Sequence, residues 1–192
     1  MAADDYSTWL KNELGGLVEG LGLAPREETF WRARWLDQVV WLEGKAKQCQ
    51  QRYYALRLIA ILGGVTVPAL VSLNVRQGSV APVIAWTTFG VSLLVAAAVS
   101  VEGFFRYGER WRHYRRTAEL LKSQGWQFYE LGGAYAAYAT HSAAFRPFAT
   151  AVEALIAEDV EVYVKQVTRE QQQQQPRPAG EADAETEPAP GP

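Results

Sequence analysis

Two uncharged apolar runs, separated by four residues, constrain this chain more than any other feature. Leu58 to Val75 reads LIAILGGVTVPALVSLNV and Val80 to Val101 reads VAPVIAWTTFGVSLLVAAAVSV, with no Asp, Glu, Lys or Arg in either. A bilayer's hydrocarbon core is about 30 Å thick, so a helix rising ~1.5 Å per residue needs roughly 20 apolar residues to cross it. Both runs reach or approach that length, and only Arg76-Gln77-Gly78-Ser79 lies between them. The simplest solution is a two-transmembrane helical hairpin, with spans at about 57–75 and 80–102.

Global averages hide this pattern. Over 192 residues the net charge is -2, and mean hydropathy falls slightly below zero because polar flanks dilute the two runs. The segment after Glu170 holds Arg177 against Glu181, Asp183, Glu185 and Glu187, which leaves 18 basic and 17 acidic groups in residues 1–170. So even a balance gives no basic face for nucleic acid, and none is expected as a partner. The lone Cys49 allows neither an intrachain disulfide nor a cysteine metal cluster, and reads as a small buried apolar residue. Residues 1–26 open with two Asp and lack a basic region followed by an apolar stretch, so no cleavable leader is read there. The first span is then expected to act as its own insertion signal.

Charge placement sets an expected orientation. Lys45, Lys47, Arg52 and Arg57 precede the first run; Arg106, Arg110, Arg112, Arg115, Arg116 and Lys122 follow the second; the loop offers Arg76 alone. The positive-inside rule then puts both termini in the cytoplasm.

The periodicity does not stop at the apolar runs. Trp31, Trp35, Val39, Leu42, Ala46, Cys49, Tyr53 and Leu56 recur in steps of three or four. Phe104, Tyr107, Trp111, Tyr114, Ala118, Leu121, Gly125 and Phe128 alternate strictly between the two. This is the seam of a coiled coil. Both spans are therefore expected to continue into the cytoplasm as long helices packed antiparallel, the first unbroken from Glu27 to Val75 over about 74 Å. Pro25 suits a first helical turn, whereas Pro68 lies mid-span and should kink the helix. Gly132-Gly133 should end the second long helix, and Pro147 should open a third, amphipathic one that reaches about Gln166. The fold class is thus an all-α membrane protein, a two-span hairpin extended into a cytoplasmic coiled-coil-like bundle with that third helix. Residues 1–25 form a partly ordered N-terminal segment, 26–168 the two-span domain, and 169–192, rich in Gln, Pro and acidic residues, a disordered tail.

The stretches WLEGKAKQCQQRYYALRLIAILGGVTVPAL (Trp41 to Leu70) and FFRYGERWRHYRRTAELLKSQGWQFY (Phe104 to Tyr129) resemble the SLATT family of bacterial two-transmembrane domains. The marks that carry the resemblance are Tyr53-x-x-Leu56-Arg57, Pro68, and Trp111-x-x-Tyr114-Arg115 leading to Ala118-Glu119-x-Leu121. It covers roughly Arg26 to Lys165. The family takes its name from association with SMODS nucleotidyltransferases and SLOG nucleotide-sensing domains. What the resemblance implies is a membrane effector in the bacterial inner membrane that forms a pore or channel. With no SMODS or SLOG domain on this chain, a sensor would be a separate protein.

Catalytic chemistry is not legible. His113 and His141 sit in no metal-ligand spacing, and no zinc-protease, nucleophile-elbow, phosphate-loop or dinucleotide motif is present. The chain is read as a non-enzyme without cofactor or metal. A two-helix hairpin cannot enclose water alone, so a conduit requires several copies. Candidate pore-lining or gating groups are Thr66, Pro68, Ser72 and Asn74 in the first span, and Thr87, Thr88 and Glu102 in the second, with Ser92 and Ser100 as further hydroxyls. The alternative for each hydroxyl is a bond to its own helix backbone. Ser92, Ala96, Ser100 and Gly103 form a small-residue row that suits helix packing. Glu102 either forms a charged ring at a cytoplasmic mouth or pairs with Arg57 or Arg106. Arg112, Arg115 and Arg116 are candidates for lipid head groups, or else the solvated side of the stalk. Two functions follow: a homo-oligomeric channel or pore, and a membrane-anchored interaction or scaffold module that does not conduct.

Overall fold

The computed structural model describes residues 3–72 and 80–174, and no strand occurs among them. The chain divides into two units, residues 1–152 and 153–192. The second unit, as far as it is described, is the continuation of one helix to Gln174.

Helix α1 (Ala3–Gly16) runs into a short 3-10 turn, Leu17–Gly20. Gly22, at φ +64°, then turns the chain. Helix α2 (Pro25–Phe30) starts with proline at its first turn, as its sequence predicts, and the Glu27 carboxylate accepts the Ala24 N–H at 2.9 Å. A π turn, Trp31–Leu36, joins α2 to α3 (Asp37–Ser72). Together they make one continuous helix of 48 residues, about 70 Å at ~1.5 Å per residue. Pro68 is accommodated inside it.

The second long helix is not continuous. Helix α4 (Ala81–Phe105) stops where Arg106 adopts φ 50°, ψ 44°, and α5 begins at Tyr107 and ends at Tyr129. The cause is a slip in phase. Along α4 the less exposed positions are Ile84, Thr88, Val91, Val95, Ala98 and Glu102, in steps of four and three. That rhythm would next select Phe105 and Glu109. The inward positions of α5 instead begin at Tyr107 and continue through Ala118, Leu121, Gly125 and Phe128. One left-handed residue re-registers the two stretches. Phe104, expected in the seam, is consequently 73% exposed.

Helix α3 packs against both α4 and α5. The contacts run antiparallel: Gly63 faces Val91 and Val95, Tyr53 faces Gly108, and Trp35 faces Gly125. Glycine is required at these crossings, because a Cβ on Gly63 would fall 2.1 Å from Val95 Cγ2 and one on Gly125 2.1 Å from Trp35 Cζ2.

Helix α5 closes with the Gly132 N–H on the Gln127 carbonyl (2.8 Å) and the Leu131 N–H on the Phe128 carbonyl (3.2 Å). This is a Schellman end in which Leu131, at φ 46°, holds the left-handed place that glycine usually takes. Helix α6 (His141–Gln174) starts earlier and ends later than its sequence predicts. Thr140 Oγ1 accepts the Ala143 N–H (3.3 Å), so threonine caps the helix and Pro147 lies inside it rather than opening it. The expected tail is helical up to Gln174, and its remainder, from residue 175, lies outside the described residues.

The core of the first unit sits far from the apolar runs. Trp31, Trp35, Phe128, Tyr135 and Phe148 are all buried there. The two indoles lie 4.2 Å apart by ring centroid, and Phe128 stacks on Phe148 at 4.4 Å. The N–H of each of these two indoles finds a carbonyl: Trp31 donates to Leu14 (3.0 Å) and Trp35 to Leu121 (2.9 Å). Leu10, Leu14 and Val18 are buried as well, which ties the N-terminal helix into this cluster.

Candidate functional site: the apolar helix pair and its charged collar

Two helices, Pro25–Ser72 and Ala81–Phe105, are long and apolar enough to cross a membrane, and almost none of their apolar windows is buried by the chain itself. Leu62, Val65, Val71, Val83, Phe89 and Leu93 all project outward, and Trp86 is 73% exposed. A helix that passes the same length test as the core of a soluble protein would be covered. Here only the narrow strip around Gly63 and Ala98 is.

Five of the hydroxyls in these two helices bond their own backbone. Thr66 donates to the Leu62 carbonyl (2.7 Å), Ser72 to Ala69 (2.8 Å), Thr88 to Ile84 (2.8 Å), Ser92 to Thr88 (2.8 Å) and Ser100 to Ala96 (2.8 Å). Each follows the local alternative open to a hydroxyl in an apolar helix. Thr66, Ser72, Thr87, Ser92 and Ser100 nevertheless face outward, whereas Thr88 lies toward α3. Pro68 is also outward. Asn74 lies outside the described residues. The row Ser92, Ala96, Ser100 and Gly103 is exposed along its whole length, so α4 packs on α3 through Val91, Val95 and Ala98 instead.

Where α4 ends, Glu102 is half-buried, its Oε1 3.5 Å from where a Cβ on Gly108 would lie. Arg106 pairs with Glu109 at 2.7 Å. Arg52 rests on the Tyr107 ring, 5.6 Å from its centroid, and Lys45 on Trp41 at 5.8 Å. Cys49 is buried and free. Burial pushes its thiol above the usual range, while Arg110, Arg52 and Lys45 pull the other way.

Deeper along the α3–α5 contact lies a four-charge network that reading by seam positions misses. Glu43, with a side chain only 8% exposed, accepts Arg115 and Lys122, each at 2.7 Å. Glu119 accepts the same two cations, at 2.8 and 2.9 Å. Burial disfavours the Lys122 ammonium, but hydrogen bonds to the two carboxylates outweigh it and raise its pKa above the ordinary value. The Lys122 hydrogen bond holds Glu119 below the usual carboxylate range. Of the three head-group candidates, Arg115 is therefore committed to carboxylates, while Arg112 and Arg116 are exposed. The spacing of Arg115, Glu119 and Lys122 along one helical stripe was the available signal; their partner across the bundle was not.

Among the described residues no group of three or more His, Cys, Asp and Glu could hold a metal. A family model described as a protein of unknown function (DUF4231) matches residues 37–143, from the start of α3 through both apolar helices to the start of α6. No curated protein and no solved structure matches the chain.

Proposed function

The chain belongs to the DUF4231 family, and from that premise we propose that it is an integral membrane protein whose copies assemble into an ion channel or pore. The observation that carries this reading is the exposure of nearly the whole apolar surface of both helices, which water would not tolerate and lipid or a second copy would cover. In this reading α4 and the second half of α3 cross the bilayer as a hairpin. Their water-facing continuations form the coiled-coil-like stalk, with both termini in the cytoplasm of a bacterial cell. The resemblance to SLATT domains supports the pore over other roles, and a separate sensor would then supply the trigger. The outward row Ser92, Ala96, Ser100 and Gly103 suits close helix contact between subunits, and the outward Thr66, Ser72 and Thr87 are the polar groups on offer to a shared axis.

One observation favours the second reading, a membrane anchor without conduction: five hydroxyls already bond their own helix and need no water. Subunit number separates the two. Purified protein reconstituted in planar bilayers is expected to give single-channel currents from a ring of four or more copies. Glu102→Gln is expected to shift the reversal potential away from cation preference. A dimeric mass in detergent with no current under any voltage or pH leaves only the anchor.

A further inference from the structure

We infer that α4 has a second packed position on α3, reached by turning about its own axis when Arg106 leaves the left-handed conformation. This one residue is then a rotary switch, and the switch is independent of whether the assembly conducts.

Two observations converge on it. The first is the joint. Arg106 ends α4 and begins α5 at φ 50° and ψ 44°, a region in which a side chain crowds its own backbone. The ordinary helical conformation at Arg106 joins α4 and α5 into one straight helix. The second is a face. Phe89, Ser92, Ala96, Ser100 and Gly103 lead to Tyr107 in steps of three and four. In a straight helix that row is in line with the inward positions of α5, which begin at Tyr107 and continue through Ala118 and Leu121. In the structure the row is exposed, and α4 meets α3 through Val91, Val95 and Ala98. The two faces of α4 lie about a third of a turn apart at ~3.6 residues per turn.

The second face suits the same partner. The strip of α3 under α4 is open at Gly63, where Val95 now fills the space that a Cβ would take. Ala96, Ser100 and Gly103 are smaller than the valines they replace, which lets the two backbones approach more closely. Ser92 and Ser100 already bond their own helix, so neither needs a polar partner on α3. The turn carries Glu102, now half-buried, to the outer side. Helix α5 stays docked, with Gly108 against Tyr53 and Gly125 against Trp35. What changes is the surface that α4 shows to its surroundings; the aromatic core does not move.

Disulfide trapping tests this in full-length protein in mild detergent, with Cys49→Ser as background. Ala60, three residues before Gly63, is level with Ala98, three residues after Val95. The pair Ala60→Cys with Ala98→Cys therefore reports the present position. The pair Ala60→Cys with Ser100→Cys reports the second, because Ser100 now faces away from α3 and only the turn brings the sulfurs within bonding reach. A bond within one chain leaves the monomer mass on a denaturing gel, whereas a bond between copies doubles it. Both pairs are expected to form within one chain. Arg106→Gly should lower the ratio of the Ser100 bond to the Ala98 bond about fivefold, and Arg106→Val should raise it. The switch is overturned by a ratio that is the same in all three proteins, or by a Ser100 bond that is absent or forms only between copies. Failure of the Ala98 bond in the Arg106→Gly protein overturns the present packing and the switch with it.

Discussion

Single residues carry the close approaches of this fold. Trp35 reaches the Leu121 carbonyl only because position 125 has no side chain, so Gly125→Ala should force the indole out of its hydrogen bond and cost about 1–3 kcal/mol. Chemical unfolding in detergent, followed by tryptophan fluorescence, measures it; an unchanged midpoint would show that the helices part without cost. The charge network makes a second prediction at this scale. Glu119 has a lowered pKa in the fold, so its contribution is complete above about pH 4.5, its usual value, and fades as pH falls through the folded value. Lys122 has a raised one, so its contribution holds below about pH 10.5 and fades as pH rises beyond. The stability gap between the native protein and Glu119→Gln should therefore be largest between those limits and close on the acid side. Glu43→Ala leaves Lys122 buried against one remaining carboxylate, and should fall toward the lower end of the ~3–5 kcal/mol that unpairing a buried charge costs, because Arg115 is half-exposed.

Elements show where local patterning was legible and where it was not. The long first helix could be read directly: a seam from Trp31 to Leu56, an apolar run behind it, and proline at its start. Trp31, Trp35, Val39, Leu42, Ala46 and Cys49 are buried, whereas Tyr53 and Leu56 are half-buried, and Leu36, Glu43 and Gly63 are buried outside that spacing. The break at Arg106 was hidden because each seam is regular by itself, and only their mismatch in phase reveals it. An arginine also gives no hint of the left-handed backbone that glycine would signal. The end of α5 was marked by Gly132-Gly133, although Leu131 takes the left-handed place, and Thr140 rather than Pro147 marks the start of α6. Arg106→Gly should relieve the ~1 kcal/mol or more that a side chain incurs in this conformation, while Arg106→Val should worsen it. The lost pair with Glu109 is exposed and offsets little. Equal midpoints for the two variants would mean that the residue is not left-handed.

At the scale of the whole molecule the sequence divides into an apolar part that the chain leaves bare and a polar part that it packs around aromatic rings. The bare part could be recognised from length and charge alone. The packed part could not be assembled from one helix at a time, since Trp31 meets Phe148 and Glu43 meets Lys122 across long stretches of chain. What joins the two parts mechanically is unequal. The helix ending at Ser72 passes from the aromatic cluster into the apolar region without interruption, whereas its antiparallel neighbour is cut at Arg106. Continuous helical backbone therefore links the aromatic cluster to the apolar region along α3, whereas α5 and α4 meet at a left-handed residue. The molecule has a single drive shaft, and its second helix is coupled to it as through a clutch.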